Sequence, residues 1–85
     1  MLIFVQSIDG DLHEVEIQGN QTFWEFRKKA CDLMGQNPND VIFTADKEYN
    51  YEYNSKKINE IQGIEDSMTF YAVYQVGGGK KGIRY

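Results

Sequence analysis

Cysteine and histidine each occur once, as Cys31 and His13. One thiol cannot close an internal disulfide, so nothing here requires an oxidising compartment. One imidazole and one thiol, without carboxylates at ligand spacing, build neither a metal site nor a catalytic dyad. His13 falls on the inward parity of a strand and reads as structural. Cys31 lies one step off a helix's apolar stripe and reads as a semi-exposed free thiol. No apolar run approaches the ~18 residues of a membrane span, and no charged-then-apolar leader opens the chain. There is no Ser-His-Asp order and no phosphate-cradling GxxxxGK[ST]. Gly77-Gly78-Gly79-Lys80-Lys81 lacks the leading glycine, the serine or threonine and the following helix.

Basic residues are scarce until the end. Residues 1–79 hold thirteen acidic and six basic side chains, a balance of −7, and Lys80, Lys81 and Arg84 then bring the net charge to −4. An acidic body repels phosphate, so neither nucleic acid nor an anionic membrane is expected as a partner. The expectation is a soluble, monomeric protein, cytoplasmic and/or nuclear. With 85 residues it makes one domain. Such a chain buries roughly 60–65% of its unfolded surface, an adequate but thin core.

Met1 to Gln6 (MLIFVQ) is rich in β-formers, with Met1, Ile3 and Val5 on one face and Leu2 and Phe4 on the other. Asp9-Gly10 signals a hairpin turn, and Leu12 to Ile17 returns with Val15 and Ile17 facing the same side. Thr22 with Glu25 three positions later matches a capping box. Phe23, Phe26, Ala30 and Leu33 or Met34 follow at helical spacing, Gly35 sits where a helix closes, and Pro38 prevents a restart. The spacing predicts one helix over 23–34. Val41-Ile42-Phe43 is a third strand. Tyr49, Tyr51 and Tyr53 alternate as on a short edge strand. Ile58, Ile61 and Ile64 suit a helical turn ending near Gly63. Ser67 to Val76 is the last strand, with Met68 and Phe70 on one face. Trp24 lies off the helix's apolar face and reads as a contact residue or as cover for a neighbouring loop. One helix with a single apolar face, laid across a mixed sheet, is an α+β roll.

The opening MLIFVQSIDG, the helix TFWEFRKKACDLMG, the segment NDVIF and the stretch INEIQGIEDSM resemble ubiquitin in order and placement, without a gap up to Gly35 and with small insertions around 46–62. The resemblance covers nearly the whole body and implies the β-grasp fold over residues 1–76, with 77–85 as a glycine-rich tail carrying a removable extension.

It also gives the tail a purpose. Ubiquitin-like modifiers are joined through a terminal glycine carboxylate to a lysine of another protein. Glycine lacks a Cβ and can thread the narrow channels of the enzymes that carry it. The resemblance implies a precursor cut after Gly78 or Gly79, with Gly77, Gly78 and Gly79 as the conjugation and processing segment and KKGIRY as the cap removed. Such a chain catalyses nothing itself and needs no cofactor. Its partners are activating, conjugating and tail-removing enzymes, ubiquitin-fold-binding domains and target lysines. Ile8, Ile42 and Tyr71 match the family's recognition patch. Ile8 sits at a turn tip, period two turns Ile42 and Tyr71 outward, and Thr69 and Phe4 belong to the same expected patch. Lys29 coincides with a ubiquitin lysine and Lys47 lies near another, so these two are the possible chain lysines. Most of the family's other linkage positions carry no lysine. Two arginines precede ubiquitin's glycines, whereas Val73-Tyr74-Gln75-Val76 is uncharged. Two alternatives stay open: a non-covalent interaction domain whose end is never activated, and a β-grasp sulfur carrier with a terminal thiocarboxylate.

Overall fold

The computed structural model of the chain describes residues 1–74. Five strands and one helix follow in order: β1 (Leu2–Gln6), β2 (Leu12–Glu16), α1 (Phe23–Met34), β3 (Val41–Thr44), β4 (Glu48–Tyr49) and β5 (Thr69–Tyr74). Single 3-10 turns occupy Pro38–Asp40, Tyr51–Tyr53 and Ile58–Glu60.

The chain reverses between β1 and β2 through a three-residue loop. The Ser7 N–H donates to the Asp11 carbonyl at 2.7 Å, and the Gly10 N–H to the Ser7 carbonyl at 2.9 Å. Gly10 takes φ +98°, a region closed to most side chains, which completes a turn whose twist suits the two strands. The Ser7 hydroxyl braces the loop by bonding Asp9, and this holds the Asp9 carboxyl below its usual range.

Helix α1 has the predicted bounds. The Thr22 hydroxyl accepts from the Glu25 N–H at 3.2 Å, and the Glu25 carboxylate accepts from the Thr22 N–H at 3.0 Å. Gly35 closes the helix in the left-handed conformation. Phe23, Phe26 and Ala30 are fully buried. Of the two candidates for the end of the stripe, Met34 packs on the core and Leu33 stays exposed.

The sheet order is β2-β1-β5-β3-β4, with β1 and β5 parallel and the other pairs antiparallel. This is a β-grasp roll, with the last strand at the sheet's centre. Its parallel start is tied down before the strand begins: the Leu2 N–H donates to the Asp66 carboxylate at 2.7 Å, the Ser67 N–H to the Leu2 carbonyl at 2.7 Å, and the Phe4 N–H to the Met68 carbonyl at 2.9 Å. Alternation holds where it was expected. Ile3, Val5, Val15, Val41, Phe43, Phe70 and Ala72 face α1, and their neighbours face away. Phe23, Phe26, Phe43, Tyr49 and Phe70 form the centre of the core, with ring centroids 5.2–6.4 Å apart.

Three expectations need correction. The Tyr49–Tyr53 stretch is not a continuous strand. Pairing with β3 ends at Tyr49, because the Asn50 side chain accepts from the Glu52 N–H and starts a 3-10 turn. Tyr49 is then core, Tyr53 half-buried and Tyr51 exposed. Cys31 is not semi-exposed but fully buried. Beside it on the helix is a buried cation that periodicity did not single out. Arg27 donates through Nη1 to the Asn54 side chain at 2.8 Å, and through Nη2 to the Val41 carbonyl at 3.0 Å and to the Pro38 carbonyl. It holds α1 to both flanking loops. Trp24 lies over it, 5.6 Å from the guanidinium carbon and 5.7 Å from Lys28 Nζ. The last strand, expected over 67–76, begins at Thr69; the part past Tyr74 lies outside the described residues.

A candidate partner-binding face on the sheet

The residues expected to form the patch lie on or beside the face of the sheet turned away from α1. Along β1, the even residues Leu2, Phe4 and Gln6 point outward. Parallel register sets Phe4 beside Thr69 and Gln6 beside Tyr71. On the other side of β5, Tyr71 faces Thr44 and Val73 faces Ile42. Ile42 is therefore diagonal to Tyr71 on the same face, and Phe4 and Thr69 continue that face toward the start of β5. Ile8 reaches it from the hairpin loop.

Ile8 and Tyr71 are 44% and 50% exposed, well above what a core side chain shows. Ile42, Thr69 and Phe4 are half-buried by their row neighbours. Gln6, Ser7, Ile8, Tyr71, Ala72, Val73 and Tyr74 line a shallow groove of about 410 Å³, and none of these side chains is charged. The Thr44 hydroxyl donates to the Tyr71 carbonyl at 3.3 Å, and the Tyr74 hydroxyl to the Gln36 side chain at 2.8 Å. These bonds steady both edges of the apolar strip. Two contributors were missed: Val73, 46% exposed, and Leu12, 60% exposed opposite Gln6. Continuing the period of two from Tyr71 and from Glu14 would have found both. The uncharged groove thus lies among exposed apolar side chains of the same face.

The other singled-out residues lie elsewhere. Lys29 is on α1, and its Nζ donates to the Glu16 carbonyl at 2.6 Å. Lys47 sits between β3 and β4, with Nζ 5.3 Å from the Tyr49 ring and 5.6 Å from the Tyr53 ring. His13 is half-buried at the inward parity of β2, opposite Val5. Gly77, Gly78 and Gly79 lie outside the described residues. Burial pushes the Cys31 thiol up to about 11, although Arg27 pulls the other way. Burial and the bond to Asp46 push the Tyr49 hydroxyl up to about 12. Both are thus neutral near pH 7. The Thr22 N–H holds the Glu25 carboxyl below its usual range, in keeping with a capping role. Among the described residues, no helix is long and apolar enough to cross a membrane.

No family model matches this chain, and it matches none of the curated proteins.

Proposed function

We propose that this protein is a ubiquitin-like modifier: a precursor cut to a terminal Gly-Gly and then joined through that glycine carboxylate to lysines of target proteins. The observation that carries the reading is the place of β5. The last described strand runs parallel to the first at the centre of the sheet, and in the sequence Gly77 comes three residues after Tyr74, the last described residue of that strand. A glycine run in that position follows a five-stranded sheet built from residues 2–74. The uncharged groove beside Ile8, Tyr71 and Val73 supports the same reading, because a modifier needs a surface its carriers and readers can hold. The activating, conjugating and processing enzymes supply the chemistry, and ubiquitin-fold-binding domains read the sheet face.

The test is the intact mass of the protein from the organism that encodes it, together with a search for its conjugates. Loss of the residues after Gly78 or Gly79, plus ladders of conjugates that an isopeptide-cleaving protease collapses, is the expected result. A retained tail without conjugates would make the chain a non-covalent interaction domain. A terminal oxygen-to-sulfur exchange would make it a sulfur carrier.

A further inference from the structure

β5 outruns its parallel neighbour. The ladder between them ends at Gln6 opposite Tyr71, while β5 continues to Tyr74. The Phe4 N–H donates to the Met68 carbonyl, so the even-numbered residues of β5 turn their N–H and carbonyl groups toward β1. Past the end of β1, the Ala72 carbonyl and both backbone groups of Tyr74 therefore face a side where no strand pairs among the described residues. The uncharged groove of about 410 Å³ lies there, between that end of β5 and residues 6–8. A neighbouring cleft of about 150 Å³ is lined by Ser7, Ile8, Asp9, Met34, Gln36 and Tyr74. Asp9 is its one charged side chain, and among the described residues it has no salt bridge.

The chain itself supplies an occupant. Gly77 comes three residues after Tyr74, and a Gly-Gly pair suits the two-residue turns that join antiparallel strands. The residues flanking such a turn form a hydrogen-bonded pair. On the open side of β5 the bonding residues are even-numbered, which selects Val76 as the flanking residue and Gly77-Gly78 as the turn. Val76 then stands opposite Gly79, Gln75 opposite Lys80, Tyr74 opposite Lys81 and Ala72 opposite Ile83. A turn on Gly78-Gly79 would need an odd-numbered residue to bond on this side. Residues directly opposite share a face of the sheet, so Lys81 comes to the side of Tyr74 and the Asp9 cleft. Gly82 adds no bulk opposite Val73, and Ile83 brings an apolar side chain to the uncharged groove. The charges also match: Lys80, Lys81 and Arg84 follow a body whose balance is −7.

We propose that residues 79–83 fold back from a turn at Gly77-Gly78 and pair with the free edge of β5, with Lys81 set against Asp9. The chain thus covers its own uncharged groove. The consequence for processing rests on the modifier reading above: a glycine run closed into a hairpin cannot enter a narrow enzyme channel, so removal of the tail waits until the hairpin opens. The pairing itself does not depend on conjugation.

The test is NMR of the full-length protein, labelled with ¹⁵N and ¹³C, at low salt. Val73 with Gly82 and Gln75 with Lys80 are the non-bonded pairs of this register, whose Cα atoms approach to about 4.5 Å. Their Hα protons are expected to show cross-strand NOEs, and the Tyr74 and Lys81 amides to exchange slowly with solvent. Asp9→Asn and, separately, Lys81→Gln are expected to speed exchange at those two amides about two- to fivefold, as loss of an exposed ion pair does. Absence of both NOEs, exchange of both amides at the rate of an unstructured peptide, or NOEs from residues 79–83 to another surface would overturn the proposal. NOEs found only between differently labelled copies would assign the strand to a second chain, and would overturn it too. No processing enzyme enters these measurements, so their outcome is separate from that of the search for conjugates.

Discussion

Ile42 and Val73 stand opposite each other on the outer face of the sheet, while Phe43, one residue on, is fully buried against α1. Neighbouring side chains on one strand thus have opposite tasks, and mutation separates them. Ile42→Ala removes a half-buried side chain and should cost about 1 kcal/mol of stability. Phe43→Ala opens the aromatic core and should cost about 3–5 kcal/mol. Denaturant unfolding gives both values. Ile42→Ala should still lose affinity for a ubiquitin-fold-binding domain in a binding titration. A loss near that of Phe43→Ala would mark Ile42 as core and remove it from the patch.

Gly63 has φ +101°, and a Cβ there would come within 2.7 Å of the Tyr49 hydroxyl. That hydroxyl cannot easily yield, because Tyr49 is buried and donates to Asp46 at 2.9 Å. Gly10 has φ +98° but open space around it. Gly10→Ala should therefore cost about 1 kcal/mol from backbone strain alone, and Gly63→Ala about 2–4 kcal/mol from strain plus the clash. Equal losses in thermal or denaturant unfolding would show that Tyr49 moves aside freely.

Arg27 is buried, has no carboxylate partner among the described residues, and serves the carbonyls of Pro38 and Val41 and the side chain of Asn54. Arg27→Met leaves those acceptors unpaired and should cost about 2–4 kcal/mol. Arg27→Lys should recover little of this, because one ammonium lacks the fork that reaches several acceptors at once. Full recovery of the unfolding midpoint by lysine would show that charge, not geometry, is what the site needs.

The buried Cys31 thiol sets a pH dependence. Its folded pKa of about 11 lies above the ordinary 9.0, so the unfolded chain loses this proton first as pH rises. The thiol's contribution to stability is present in full below about pH 9 and is lost between there and about pH 11. Cys31→Ala should flatten that part of the stability–pH curve, measured by urea unfolding. An unchanged slope would place the alkaline loss on other groups such as Tyr49. Iodoacetamide at pH 8 should label the folded protein far more slowly than the unfolded one, since burial blocks access to the sulfur.

If the chain is the modifier proposed above, the uncharged approach to its glycines bears on which enzyme would activate them. Where ubiquitin offers arginines, Val73 to Val76 offers no charge. Buried acidic groups of an enzyme left unpaired cost on the order of 1–3 kcal/mol, roughly tenfold or more in specificity. Ubiquitin's own activating enzyme should charge this protein poorly, whether it ends at Gly78 or at Gly79. Thioester formation at ubiquitin-like efficiency by either form would refute the claim.

The sequence by itself determined the local elements. Thr22, Glu25 and Gly35 bound α1 because caps and a left-handed residue act within one turn of the chain. The hairpin at Gly10 and the in–out alternation of β1, β3 and β5 were legible for the same reason, since turn chemistry and a period of two involve only near neighbours. From Tyr71 and Ile42 that period also gave most of the outer face. The tertiary structure alone decided what distant segments do to one another. The run of tyrosines broke at Asn50, whose side chain turned the backbone away from the ladder. Arg27 and Cys31 became interior because residues 38–41 and 54 come to lie against that side of α1, and no helical period registers a covering loop. The open edge of β2 likewise exists only because β5 pairs with β1, more than sixty residues earlier in the chain, and leaves β2 on the outside. Helix caps and turns are fixed by contacts a few residues apart, whereas burial and edges follow from which distant strands pair.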